Sequence, residues 1–283
     1  MVRFPKVGSR VLLRHPVAMK MEILLILRLS MSRCLFLLVA WLTSSCSKTA
    51  DPKDRERELS YLRCVMPESL LEFAHVEVPA VENIAIMGEG TNQHLGLHLL
   101  PGQKKRNGGV RAEISVDYPF QTGDTVRYAW RFMVPEGFES DGPKNRWWII
   151  GQWHDQPNKT RGETWDGFPS LSPPVLLSVG QLENKLVTVV SYNPHQSQKS
   201  APLVIVPGKW HNVALEIHWS QKADGKATVF FDDMTKPAAV LDGPNMHNDY
   251  QHYLKLGMYR HPDIATDNWI CLDDLTITKQ AVR

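Results

Sequence analysis

Three short strings in this sequence hold side chains able to grip an anion and move a proton. They are Arg111-Ala112-Glu113, Gln152-Trp153-His154 and Tyr253-Leu254-Lys255-Leu256-Gly257-Met258-Tyr259-Arg260. In each, polar groups recur two residues apart with apolar residues between them, and a pleated strand sends those two sets to opposite faces. If the three segments belong to one curved sheet, its open face carries Arg111, Glu113, Gln152, His154, Lys255, Tyr253 and Tyr259. Gly257 then leaves room for a ring between Lys255 and Tyr259.

That inventory suits β-elimination at C4 of a uronate. The carboxylate must be neutralised, the C5 proton taken and the departing oxygen protonated. Arg111 and Gln152 offer charge and hydrogen bonds for the carboxylate. His154 is a residue type that exchanges protons near neutrality. Tyr259 supplies a phenolic proton for the leaving oxygen or, as phenolate, the base. Glu113, Lys255 and Tyr253 fall on the same face and complete the substrate-binding set. Each has a plainer reading: Arg111 and Glu113 as a cross-sheet ion pair, His154 as a structural histidine, the tyrosines as ordinary strand aromatics.

The elements that would position these groups are short strands. Segments 75–78, 83–87, 95–100, 110–118, 125–134, 146–154, 175–179, 186–192, 203–206, 212–219, 227–232, 253–260 and 269–278 are separated by Pro, Gly, Asn and Asp. No long helical period interrupts them, and only 67–73 suggests a short turn. This predicts an all-β sandwich or barrel. In 125–134, Val126, Tyr128, Trp130, Phe132 and Val134 share one face while Arg127 and Arg131 share the other. Three connections are long, 135–145, 155–174 and 193–202, and loops of that length often carry function. The middle one, with Lys159, Arg161 and Trp165, would suit a lid over a sugar chain, Trp165 being the residue placed to stack on it. Trp147, Trp148, Trp210, Trp219 and Trp269 read as core.

Taken together and in order, the three strings resemble the signature segments of jelly-roll polysaccharide lyases. The nearest likeness is to the heparin lyase I and glucuronan lyase group, with alginate lyases more distant. It runs from about Gly108 to Asp274 and includes Gly208-Lys-Trp-His211 and Trp219-Ser…Asp224-Gly225. The resemblance implies a β-jelly-roll of two antiparallel sheets with a concave substrate groove. It also implies His154 and Tyr259 as the catalytic pair, with Gln152, Arg111 and Lys255 in the substrate site. No cofactor is required for the chemistry. Such enzymes often hold a structural calcium, for which Asn248 and Asp273 are the candidate ligands. Basic clusters are few apart from Lys104-Lys105-Arg106, which argues against a heavily sulfated substrate. The expected substrate is therefore an anionic polysaccharide: glucuronan or another unsulfated glucuronate polymer first, then heparin-like chains, then alginate. The competing reading is a non-catalytic carbohydrate-binding protein on the same fold. Hydrolysis by paired carboxylates on one strand lacks a suitable Glu-x-Asp-x-x-Glu string.

Residues 1–46 read as a secretion signal, with Met31 as an alternative start. Arg33 leads an apolar run from Cys34 to Leu42, and Thr43-Ser-Ser45 precedes Cys46. That pattern is what signal peptidases read, and Cys46 is a candidate for lipidation. A linker over 47–60 and a single domain over 61–283 complete the organisation. The first 46 residues hold seven of the 32 Lys and Arg and one of the 30 Asp and Glu, leaving an acidic body. No basic footprint for nucleic acid remains. The expected protein is a bacterial monomer that is exported (periplasmic, anchored at the outer membrane, or extracellular), touching a membrane only through a lipid. Cys64 and Cys271 form either a disulfide or two separate buried thiols.

Overall fold

The computed structural model describes residues 61–64, 70–71, 73–192 and 198–280. The leader, Cys46 and the linker over 47–60 lie outside the described residues. Strands dominate: β1 (Tyr61–Cys64), β2 (His75–Glu77), β3 (Ile84–Met87), β4 (His94–Leu99), β5 (Val110–Val116), β6 (Thr125–Met133), β7 (Trp148–His154), β8 (Val175–Leu182), β9 (Lys185–Tyr192), β10 (Gln198–Lys199), β11 (Leu203–Val204), β12 (His211–His218), β13 (Lys226–Phe231), β14 (Ala239–Asp242), β15 (Tyr253–Arg260) and β16 (Asn268–Lys279). Every segment expected from the alternation of apolar and polar residues is present as a strand. The short β1, β10 and β14 lie outside those segments. Among the described residues no helix is long and apolar enough to cross a membrane.

The strands form two antiparallel sheets. One runs β14-β13-β12-β6-β16-β4-β3, with β1 also on β16; the other runs β10-β9-β8-β7-β15-β5-β2, with β11 also on β9. Strand β6 shows why they pack. Val126, Tyr128, Trp130 and Phe132 are buried while the residues between them are half-buried. Its inner face meets Trp153 of β7, with Tyr128 edge-on at 5.2 Å between ring centroids, and Leu254, Leu256 and Met258 of β15 join the same core. Burying side chains of this size stabilises the sandwich by about 1.5–3 kcal/mol each. The outer face of β6 carries Arg127 on Glu216 and Arg131 on Asp273. The β8–β9 turn, Glu183-Asn184, has both residues at positive φ, the two-residue hairpin geometry whose twist matches the strands.

The disulfide is excluded by register. Cys64 pairs across β1–β16 with Leu275, four residues along the strand from Cys271, or roughly 13 Å at ~3.3 Å per residue. A disulfide needs Cα atoms within about 7 Å, and Cys271 is a free, buried thiol.

Candidate active site

Strands β7, β15 and β5 are consecutive neighbours in the second sheet, so the three motif segments share one face. Register pairs Tyr253 with His154 and Lys255 with Gln152. On the other side it pairs Lys255 with Ser115, Gly257 with Glu113 and Tyr259 with Arg111. Strand β2 brings Glu77 beside Glu113. This face floors a groove of about 1180 Å³, walled in part by Trp147 and Trp165.

At one end of the groove the rings of His154 and Tyr253 lie 5.9 Å apart between centroids. His154 Nδ1 is 2.9 Å from Asp155 Oδ1 and 3.1 Å from the Asp155 carbonyl oxygen. The Asp155 carbonyl oxygen accepts from Nδ1, and the carboxylate charge beside it favours a proton there, which leaves the Nε2 lone pair free. Burial works to raise the Asp155 pKa, but the hydrogen bond and charge of His154 outweigh it and hold the carboxyl below its usual range. Tyr253 is affected oppositely. Burial first, then the charges of Glu77 and Glu113, push its hydroxyl up, with Arg111 opposing. A phenol so placed keeps its proton and is a donor.

The middle of the floor is a buried polar network. Lys255 Nζ is 2.7 and 2.9 Å from the two carboxylate oxygens of Glu77, and Asn107 Nδ2 donates to the same group at 2.9 Å. Arg111 Nη1 lies 3.2 Å from Glu113 and 3.6 Å from Glu77. Gln152 Nε2 is 2.6 Å from Glu113 Oε1. Burial would raise both acids. For Glu77 the charge and hydrogen bond of Lys255, with Asn107 and Arg111, reverse that direction and lower it. For Glu113, sealed at 1 % exposure, burial prevails over Lys255, Arg111 and Gln152, and the pKa is raised.

At the other end Tyr259 lies under the Arg111 guanidinium, 4.2 Å from carbon to ring centroid, and against Trp147 at 4.7 Å. Five residues of β7 and six of β15 separate this pair from His154 and Tyr253, roughly 16–20 Å at ~3.3 Å per residue. His154 and Tyr259 line the same groove, with their backbones set well apart along the strands. The motif puts two tyrosines on one face, and antiparallel register sets Tyr253, not Tyr259, beside the imidazole. Arg111 leans toward the centre but shares its end with Tyr259.

Other expectations are corrected by the same geometry. Gly257 does not make room for a sugar: at φ +138° a Cβ there would meet the Ala112 carbonyl oxygen at 2.3 Å and Leu97 Cδ1 at 2.8 Å. The glycine serves the backbone where the β15–β7 register shifts between Leu256 and Tyr259. Glu113 lies beneath the floor instead of on it. Trp147 is 42 % exposed on the groove wall, not core, whereas Trp148 and Trp219 are buried as expected and Trp210 and Trp269 are half-buried. Trp165 is 56 % exposed and stands edge-on to Tyr253 at 6.3 Å. Its loop is tied down: Arg161 pairs with Asp249, and His247 Nε2 sits 2.8 Å from the Ser172 carbonyl. It forms a wall, not a loose lid, and Arg161 is spent on that tie. Asn248 and Asp273 do not form a joint donor set. Asn248 donates to the Gln156 carbonyl and accepts from Tyr250 N, while Asp273 pairs with Arg131 on the other sheet and accepts from Asp274 N. Among the described residues no group of three or more His, Cys, Asp or Glu is arranged to hold a metal ion.

Three contributors escaped the sequence reading. Asp155 follows His154 directly, and a carboxylate next to an imidazole was a usable signal. Glu77 alternates with His75 in a strand that had been anticipated, yet nothing local links it to Lys255. Trp147 sits one residue before β7, where strand phase does not fix its direction.

A family model described as Polysaccharide lyase matches residues 80–276. No curated protein matches the chain significantly. Among solved structures, the chain is similar to endo-β-1,4-glucuronan lyase from the fungus Trichoderma reesei, with 17 % identity over 72 % of this chain and 87 % of that one and a TM-score of 0.50. It is also similar to a variant of alginate lyase Aly36B in complex with an alginate trisaccharide, with 14 % identity, coverage of 78 % and 99 %, and a TM-score of 0.51. A third is alginate lyase A1-II′, a member of polysaccharide lyase family 7, at 12 % identity, coverage of 80 % and 97 %, and a TM-score of 0.52. At these identities the shared property is the fold, a β-jelly-roll.

Proposed function

The chain belongs to the polysaccharide lyase family, and on that premise we propose that it cuts an unsulfated uronic-acid polymer by β-elimination where His154 and Tyr253 stand together. The observation that carries this reading is the pairing itself. An imidazole with Nδ1 bonded to the Asp155 carbonyl stands beside a protonated phenol, ring centroids 5.9 Å apart, next to Gln152 and Lys255. His154 Nε2 takes the C5 proton, and the electron pair forms the C4–C5 double bond as the C4–O bond breaks. Tyr253 gives its proton to the departing oxygen. Gln152 and Lys255 meet the carboxylate, lowering the cost of charge that develops beside it. Arg111, Tyr259 and Trp147 take a sugar several units along the groove.

The charge of the lining supports an unsulfated chain. Lys255 and Arg111 both lie against Glu77, Asp117 adds a further carboxylate, and Lys159 is an exposed base on the wall. That supply matches one carboxylate per sugar and is too small for a sulfate-rich polymer. Glucuronan and alginate, named for the similar enzymes, are the polymers to offer first, with heparin as the contrast. Action on such chains outside the cell agrees with the export signal read in residues 1–46.

Purified protein mixed with each polymer should give rising absorbance from conjugated unsaturated uronate ends. His154→Ala and Tyr253→Phe should each remove it. New reducing ends without the double bond would overturn elimination, and binding to the polymers without any product would favour a carbohydrate-binding role.

A further inference from the structure

Gln152 lies in the groove floor at 1 % exposure. One end of its amide is 2.6 Å from Glu113 Oε1. The other end, Oε1, is buried without a hydrogen-bond partner among the described residues. Both features sit badly with an ionised Glu113. A separation of 2.6 Å is short for N–H···O, which centres at about 2.9–3.0 Å, and ordinary for O–H···O. An amide oxygen turned toward a uronate carboxylate would repel it and would meanwhile stay unsatisfied. A half-turn of the amide exchanges its oxygen and nitrogen: the oxygen then accepts from Glu113 if that acid carries a proton, and the NH₂ is left to donate to a bound carboxylate.

We propose that Glu113 is a proton-bearing positioning residue whose O–H donates to Gln152 Oε1 and so aims the Gln152 NH₂ at the uronate carboxylate. The role rests on the lyase reading above and deepens it. The groups that face Glu113 are Arg111 on its own strand, Glu77 on β2, Lys255 and Tyr253 on β15, and Gln152 on β7. Burial outweighs the pull of Lys255 and Arg111, with Glu77 adding to it, and shifts Glu113 toward its neutral form. The same proton sets the charge of the floor. With Glu113 neutral, Arg111 and Lys255 oppose Glu77 alone and leave one positive charge beneath the substrate. Ionisation cancels that charge and draws the amide back toward Glu113.

Two measurements test this. In pH–rate profiles, wild-type kcat/KM should fall on the alkaline side as Glu113 ionises. Glu113→Ala should lower kcat/KM by roughly 100-fold, the scale of losing one aimed donor. Glu113→Gln, whose amide can donate without titrating, should recover most of that loss and abolish the Glu113-dependent alkaline fall. An unchanged alkaline limb in Glu113→Gln, or a loss equal to that of Glu113→Ala, would overturn the role. Infrared difference spectra of the substrate-free protein, wild type against Glu113→Gln, should show a protonated carboxyl band at neutral pH that shifts in D₂O. Its absence overturns the proposal whatever the activity. A clear band in a protein that yields no unsaturated product would instead retain the proton and defeat the lyase reading.

Discussion

The two ends of the groove carry a tyrosine each, in opposite company. Tyr253 faces an imidazole backed by a buried carboxylate, with its own hydroxyl pushed up by burial and by Glu77 and Glu113. Tyr259 lies beneath a guanidinium and beside an exposed indole. In the proposed reading the first setting exchanges protons with a bound sugar, and the second, a platform with a positive edge, holds a unit further along the chain. Identical side chains on one strand face, six residues apart, acquire different work from what the adjacent strands place opposite them.

The largest effect that should separate the two ends is on the chemical step. His154→Ala or Tyr253→Phe should lower kcat by about 10²–10⁴-fold, the range for a positioned acid or base, read as unsaturated uronate release. Next comes the network between the ends. Lys255→Ala strands the buried Glu77 carboxylate, and removing one member of such a pair costs about 3–5 kcal/mol. The thermal midpoint should drop markedly and activity with it. Trp165→Ala should raise KM while leaving kcat near that of the wild type, since its ring offers contact to sugar and none to the reacting atoms. Equal losses in kcat would place Trp165 in the chemistry instead.

The pH dependence of stability sharpens the contrast between Glu77 and Glu113. Glu77 and Asp155 have folded pKa values below their unfolded ones. Their contribution is present above the unfolded carboxylate range of about 4 and is lost as pH falls through the folded values. Glu113 has the reverse sign: its contribution is full in acid and is lost as pH rises through its folded value. Thermal midpoints measured against pH should therefore fall in acid for wild type and Glu113→Gln alike. On the alkaline side Glu113→Gln should hold its midpoint better than wild type.

Strand content was legible because alternation is local. The inward set of β6 and the polar faces of β5, β7 and β15 follow from counting residues in twos. What could not be read was anything set by register. The choice between Tyr253 and Tyr259 depends on which residue of β15 meets His154, and the distance from Cys64 to Cys271 depends on where β1 lies along β16. Glu77 reaches Lys255 only because β2 pairs with β5. Gly257 shows the limit from another side, since a glycine between two polar groups looks like space for ligand and is in fact required by the backbone.

The decisive comparison is steady-state release of unsaturated uronate by Tyr253→Phe and Tyr259→Phe, assayed side by side on the best polymer. Loss of kcat by about 10²-fold or more in Tyr253→Phe, with Tyr259→Phe changed mainly in KM, is the expected result. Near-normal kcat in Tyr253→Phe together with an inactive Tyr259→Phe would contradict it and move the chemistry to the Arg111 end of the groove.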